Sequence, residues 1–240
     1  MFADKNKFRP VFRVDWRRVV FLNFAFDADL LSGEVAYPLD LYEGRAMISL
    51  VAFETTDIWF DALGKWTRGF VNPFGRHLFL NVRTYVDVRL SRGIYFMKEF
   101  VNRPIAIPLA RAMYDLPYAF ANVDYHCDRR GKRVFGKVGT EGAFRFEGQW
   151  EGEASAADKG GLAEFLVERY EAFLGKDGCL RRFRIEHEPW EVFNFKLRLL
   201  DLGIVAEAFP WFEAAEFVGA YFAEGLAGVG IGGREEFGRD

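Results

Sequence analysis

Leu78-Phe79-Leu80-Asn81-Val82-Arg83-Thr84-Tyr85-Val86-Asp87-Val88-Arg89-Leu90 is the stretch from which the fold is read. Successive side chains of a strand point to opposite faces. Leu78, Leu80, Val82, Thr84, Val86, Val88 and Leu90 therefore share one face, and Phe79, Asn81, Arg83, Tyr85, Asp87 and Arg89 share the other. The first face is apolar and needs a core. The second mixes rings with charges and needs either water or a polar-lined cavity. Ser91-Arg92-Gly93 supplies a tight connection, and residues 93–100 read as the antiparallel hairpin partner.

Upstream, residues 19–26 are apolar, β-branched and aromatic, and Asp27-Ala28-Asp29 closes them with turn chemistry. This predicts a strand followed by a short helix or turn over 29–31. The turn at Tyr42-Glu43-Gly44 introduces a second apolar run of strand length, residues 45–53. Residues 55–75 hold Trp59, Phe60, Trp66, Phe70 and Phe74 without a sustained period and read as a partly ordered loop.

Downstream, a short helix is predicted from Pro104 or Pro108, ending before Pro117, because the residue preceding proline disfavours the helical region. Residues 118–128 and 134–151 read as three strands, broken at Arg130-Gly131 and near Thr140-Glu141-Gly142. The strongest helical period covers 162–174, with Leu162, Phe165, Leu166, Tyr170, Phe173 and Leu174 on one face and Gly175 as its cap. Glu168-Arg169 is assigned to the solvated side of that helix. Strands return at 180–188 and 191–199, and in two late runs at 217–222 and 226–231. No repeat or low-complexity linker divides the chain, which predicts a single domain over 1–240.

Composition bounds the function. The formal net charge of −3 gives no global field for a polyanion, and the basic runs Arg129-Arg130-Gly131-Lys132-Arg133 and Arg181-Arg182-Phe183-Arg184 are read as a solvated turn and a local cluster, so no nucleic acid partner is expected. Two cysteines, Cys127 and Cys179, imply neither a disulfide framework nor a zinc knuckle. The N-terminal residues carry no apolar signal segment, and residues 214–233 are interrupted by Glu216 and Glu224, so neither export nor a membrane is expected and the location is taken as cytoplasmic. The sequence is compatible with a homo-oligomer. Twenty-seven Phe, nine Tyr and six Trp exceed ordinary usage and suit either a filled core or a cavity wall.

In order, Tyr42-Glu43-Gly44-Arg45-Ala46-Met47-Ile48-Ser49-Leu50-Val51-Ala52-Phe53, Asn81-Val82-Arg83-Thr84-Tyr85-Val86, Gly93-Ile94-Tyr95-Phe96, Leu116-Pro117-Tyr118, Phe165-Leu166-Val167-Glu168-Arg169-Tyr170 and His187-Glu188-Pro189-Trp190 span nearly the whole chain. Together they resemble the YqjF-like family of conserved uncharacterised proteins, a domain of unknown function. That family is similar in fold to acetoacetate decarboxylase. The resemblance implies a strand-rich α+β fold, a large, mostly antiparallel β-barrel or cone with two or three peripheral helices and a central cavity. In the decarboxylase a Schiff-base lysine follows a proline and is activated by a neighbouring cation. Here Pro117 is followed by Tyr118 and Ala119, and none of the nine lysines adjoins another, so no lysine-dependent decarboxylation is expected.

Arg83 and Tyr85, two apart on one strand face, suit a carboxylate, since a guanidinium fork beside a phenol matches a small anion. The bland alternative is a solvated face or an ion pair with Asp87. His187 is the candidate acid–base residue, with Trp190 as a dry wall. Its alternative role is to orient the turn before Pro189. His126 and Cys127 are adjacent and face opposite ways, and His77, His126 and His187 show no metal-ligand spacing, so no metal or cofactor is assigned. The expectation is a small-molecule-binding domain for a carboxylate or oxo-acid, a lysine-independent enzyme in its catalytic version, with Arg83, Tyr85, Tyr95, Tyr118, His187 and Trp190 at the ligand. The alternative is a non-catalytic structural or interaction protein with a filled aromatic core.

Overall fold

The computed structural model describes residues 8–71, 76–139, 143–175 and 180–237. Long β-branched and aromatic runs give long strands: β1 (Phe12–Phe26), β2 (Leu41–Tyr42), β3 (Arg45–Phe60), β4 (His77–Val88) and β5 (Ser91–Val101). β6 (Tyr118–Phe120), β7 (Val123–Asp128), β8 (Arg133–Val138), β9 (Phe144–Ala156), β10 (Glu171–Leu174), β11 (Leu180–Glu186), β12 (Glu191–Asp201), β13 (Glu216–Ile231) and β14 (Glu235–Phe237) follow. Short helices interrupt them: α1 (Ala28–Ser32), α2 (Arg68–Val71), α3 (Ala106–Tyr114), α4 (Leu162–Val167) and α5 (Gly203–Ala208).

Seven strands close on themselves in the order β11-β10-β5-β4-β3-β1-β13, the last meeting the first through Ile185↔Ile231 and Glu186↔Gly230. Every junction of this ring is antiparallel except β10 with β5. Closure leaves these strands no free edge. β12, β9, β8 and β7 extend the sheet outward from β13. Gly225 of β13 lies at φ +123° against β1, where a Cβ would come within 2.0 Å of the Trp16 carbonyl oxygen.

The alternation read from residues 78–90 separates two cores. Phe79 and Tyr85 of β4 belong to an inner core fed by all seven ring strands, including Phe21, Val51, Ile94, Ala172, Ile185 and Val229. Leu78, Leu80, Val82, Val86 and Val88 belong to an outer core, in which the ring packs on Val134, Phe144, Phe146, Trp150 and Phe195 of the extended sheet.

Several expectations are corrected. The hairpin turns at Arg89-Leu90, both at positive φ (54° and 66°), and β5 already begins at Ser91. Two left-handed residues match the twist of the flanking strands. Residues 55–60 continue β3, after which a 3-10 turn over Lys65–Thr67 leads into α2. The two late runs are one strand, β13, bent at glycines of positive φ.

The helix expected over 162–174 stops at Val167, because Glu171–Leu174 gains more from pairing with β5 and β11 than from a further turn. Arg169 is correspondingly not on a solvated face. It is buried, bonded to Asp40 at 2.6 Å and stacked over the Phe165 ring at 4.2 Å. Both basic runs hold acidic partners, Glu224 for Arg129, Asp115 and Glu236 for Arg181, Glu171 and Glu235 for Arg182. Phe74, the turn at 140–142 and Cys179 lie outside the described residues. Among the described residues no helix is long and apolar enough to cross a membrane.

Candidate functional site

The inner core is not filled. A cavity of about 490 Å³ lies inside the ring, walled by β1, β3, β4, β5, β11 and β13 and by α3. This is within the range of small-molecule sites. α3 turns Ala106, Ala110, Met113 and Tyr114 toward it, the spacing of one helical face, and the rim carries the exposed Ile105 and Phe60. Most of the wall is apolar, with Phe21, Phe53, Phe79, Phe96 and Trp190 among its rings.

One strip of the wall is polar. His77, Asn81 and Arg83 reach it from alternate positions of β4, Glu99 from β5 and Tyr118 from β6. Glu99 is register partner of Asn81 on one side and of Tyr118 on the other. Its orientation depends on an irregularity. The register shifts between Val82, opposite Lys98, and Arg83, opposite Phe96, so Met97 has no partner on β4. Ile94 and Phe96 face the cavity, Tyr95 and Met97 the outer core, and beyond the bulge the parity reverses, with Glu99 facing in and Phe100 out. A bulge of this kind re-aims the side chains that follow it. Lys98, 5.4 Å from the Phe100 ring, takes the outer side.

The strip is unsatisfied. Among the described residues, His77 Nδ1, Asn81 Oδ1, Arg83 Nε and Glu99 Oε2 are buried side-chain atoms with no hydrogen-bond partner, and all four belong to the cavity wall. Each orphan costs about 1–3 kcal/mol. Arg68 Nε is the one further orphan among the described residues and lies off this wall, so a cost repeated four times on one wall marks a place shaped for something polar to arrive.

Burial pushes the Glu99 carboxyl well above the usual carboxylate range, and the positive charge of Arg83 pulls it part of the way back. Burial and then the Glu99 charge push the Tyr118 phenol well up, so it remains a donor. Burial, aided by Arg103, lowers His77 and keeps its imidazole neutral. Arg83 is held in place from outside the cavity, donating from Nη2 to the Leu166 carbonyl at 3.0 Å, with its guanidinium 5.5 Å from the Phe21 ring.

A family model described as an uncharacterized conserved protein, DUF2071, matches residues 13–225, a span that contains the whole polar strip. The chain belongs to the DUF2071 family. YqjF of Bacillus subtilis (strain 168), described as uncharacterized, is 29% identical over 210 residues, covering 80% of this chain and 81% of that protein. Among solved structures, an acetoacetate decarboxylase-like enzyme from Sphingomonas wittichii RW1 superposes with a TM-score of 0.66 at 14% identity, covering 97% of this chain and 95% of that one. Acetoacetate decarboxylase from Legionella pneumophila does so with 0.66 at 13%, covering 99% and 90%. The enduracididine biosynthesis enzyme MppR complexed with pyruvate gives 0.64 at 10%, covering 98% and 92%. At these identities the likeness is one of fold, and it makes this DUF2071 chain acetoacetate decarboxylase-like in architecture.

Of the residues singled out from sequence, the DUF2071 fold puts Arg83, Tyr118 and Trp190 on the cavity wall. Trp190 stacks on Trp16 at 6.0 Å and donates its backbone N–H to Glu168. Tyr85 shares the inner face with Arg83 but sits outside the cavity, its hydroxyl bonded to Ser49 and donating to the Leu166 carbonyl. Tyr95 faces the other way, against Tyr37 in the outer core, because it alternates with the inward Ile94 and Phe96. His187 lies behind Trp190, its ring nitrogens 2.8 Å from the Glu188 carbonyl and 3.2 Å from that of Arg169. That is the geometry of a turn-orienting histidine. Asp87 pairs with Arg92 and leaves Arg83 to the cavity.

Sequence reasoning missed His77, Asn81 and Glu99 as site residues. Asn81 and His77 were legible, lying two and six positions before Arg83 on its own face. Glu99 was not, since simple alternation from Phe96 would turn Lys98 inward.

Proposed function

We propose that this DUF2071 protein binds a small organic acid, a carboxylate or oxo-acid with an apolar body, in the ring cavity, and that it does so without a lysine. The observation that carries this is the set of four orphaned polar atoms on one wall of an otherwise apolar cavity. Arg83, its Nε free and its far nitrogen anchored, takes the carboxylate. The protonated Glu99 and the Tyr118 phenol add donors for a second oxygen, and the rings of Phe21, Phe79 and Trp190 cover the body. Among the described residues no lysine lines the cavity, and Lys98 is turned to the outer core, which speaks against Schiff-base chemistry here. An open cavity beside Arg83 also favours this reading over a solid aromatic interior. MppR, of similar fold, is seen with pyruvate.

The test is thermal and calorimetric titration with 4-methyl-2-oxopentanoate, phenylacetate and pyruvate. A ligand at a hundred times its Kd stabilises the native state by about 2.7 kcal/mol, which for a chain of this size raises Tm by about 5–11 °C. The branched and aromatic acids are expected to shift the wild type, and Arg83→Met to weaken them at least tenfold. A panel in which no acid stabilises the wild type more than Arg83→Met overturns the reading.

A further inference from the structure

We infer that Glu99 is the proton-transfer residue of this cavity, removing and returning a proton at the carbon beside the carbonyl of a bound oxo-acid and so catalysing the reversible interconversion of the oxo-acid with its enolate. This rests on the reading of the cavity as an oxo-acid site and adds a reaction to it.

Four observations converge on the carboxyl. It is delivered into the cavity by a bulge, a device that interrupts a ladder in order to redirect a side chain. One of its oxygens has no partner in the protein. Arg83 faces the same space without closing an ion pair with it, so the guanidinium stays available to a substrate anion. The remaining titratable groups of the wall are His77 from β4, Tyr114 from α3 and Tyr118 from β6. Of these, Tyr114 is committed to the Gly232 carbonyl at 2.9 Å. Burial further lifts the carboxyl toward the pH at which one group can both take and give a proton, the condition under which general acid–base catalysis is most effective.

Arg83 holds the carboxylate of the oxo-acid and, beside it, the carbonyl oxygen. In the ionised form of Glu99, populated as pH rises, the C–H bond at the adjacent carbon breaks and its proton passes to the carboxylate. The bonding pair becomes the carbon–carbon double bond of the enolate, and the carbonyl pair moves onto oxygen. That charge is met by hydrogen bonds from Arg83 and from the Tyr118 phenol, which keeps its own proton. Return of the proton from Glu99 to carbon restores the oxo-acid. Nothing is oxidised and no co-reactant is needed.

The experiment follows loss of the C3 proton signal of 4-methyl-2-oxopentanoate in D2O by NMR, with binding measured in parallel by calorimetry. The wild type is expected to exchange this proton faster than buffer. The rate should rise with pH through a value displaced above that of an ordinary carboxyl. Glu99→Gln, whose amide still donates, is expected to bind the acid more weakly than the wild type and, at saturating acid, to lose exchange by about a hundredfold or more, Glu99→Asp to recover part of it, and the inflection to vanish in Glu99→Gln. Binding by the wild type with no exchange above buffer, or equal exchange by Glu99→Gln, overturns the inference and leaves the binding site standing. Failure of the wild type to bind any oxo-acid overturns the inference, and failure to bind any acid, phenylacetate included, overturns the reading of the cavity as well.

Discussion

Glu99 and Tyr118 are register partners across the parallel pair of β5 and β6, and both side chains face the same cavity. Burial raises the pKa of the Glu99 carboxyl against the opposing pull of Arg83, and the chain bears the consequence in its stability. The unfolded chain gives up the Glu99 proton near the ordinary value of 4.5, whereas the folded chain keeps it to a higher pH. Above 4.5 the unfolded state therefore binds fewer protons, and stability falls as pH rises until the folded pKa is passed. Glu99→Gln, close in shape and uncharged, is expected to match the wild type near pH 4.5 and to exceed it above, by a margin that widens and then levels. Urea denaturation of both proteins between pH 4.5 and 8.5 measures this, and parallel curves would refute it.

The Asp40–Arg169 pair has side chains only 6% and 4% exposed and joins the segment before β2 to the turn that ends α4. Removing one partner leaves the other charge buried, which costs about 3–5 kcal/mol. Asp40→Ala and Arg169→Met should each lower stability by that order, with Arg169→Met also losing the stacking over Phe165 and Tyr85. Asp40→Ala combined with Arg169→Met should be less damaging than the sum of the singles. A double-mutant cycle showing simple additivity would mean the two charges act independently.

Gly225 tests the ring closure between β1 and β13. At φ +123°, with the Trp16 carbonyl where a Cβ would go, Gly225→Ala must both strain its backbone and push β1 aside. Strain of this kind alone costs about 1–3 kcal/mol, and the displacement adds to it. Gly219→Ala, also at positive φ but with open space around it, is the control and should lose less. Equal losses in chemical denaturation would show that the close approach to Trp16 carries no weight.

The fold was most legible where a local period decides structure. Residues 78–90 alternate without interruption, so the two faces of β4 could be separated from sequence, and Arg83 with them. Residues 162–174 misled because Ala172, Phe173 and Leu174 are buried by distant partners, Ile94 and Tyr95 of β5, that a helical period cannot register. The site was half legible. Arg83 and Tyr118 stood out by residue type and position, while Tyr95 looked equally suitable and lies in the other core. His187 attracted attention as the chemically versatile residue, but its neighbours are carbonyls. Glu99 was invisible because its direction depends on the unpaired residue two positions before it, and that is a property of the pairing with β4.

The extra residue in β5 has a consequence for how such a cavity changes over generations. Lys98 and Glu99 are adjacent, and the bulge alone decides which of them looks inward. Were the ladder to run on from Phe96 without the bulge, with Met97 opposite Val82 and Lys98 opposite Asn81, the strand would keep its composition and yet present an ammonium to the cavity in place of a carboxyl. The sign of the charge at the heart of the protein is thus written in a pairing register, and a one-residue slip of the strand beyond Phe96, with no residue exchanged, would turn an acid-bearing cavity into an amine-bearing one.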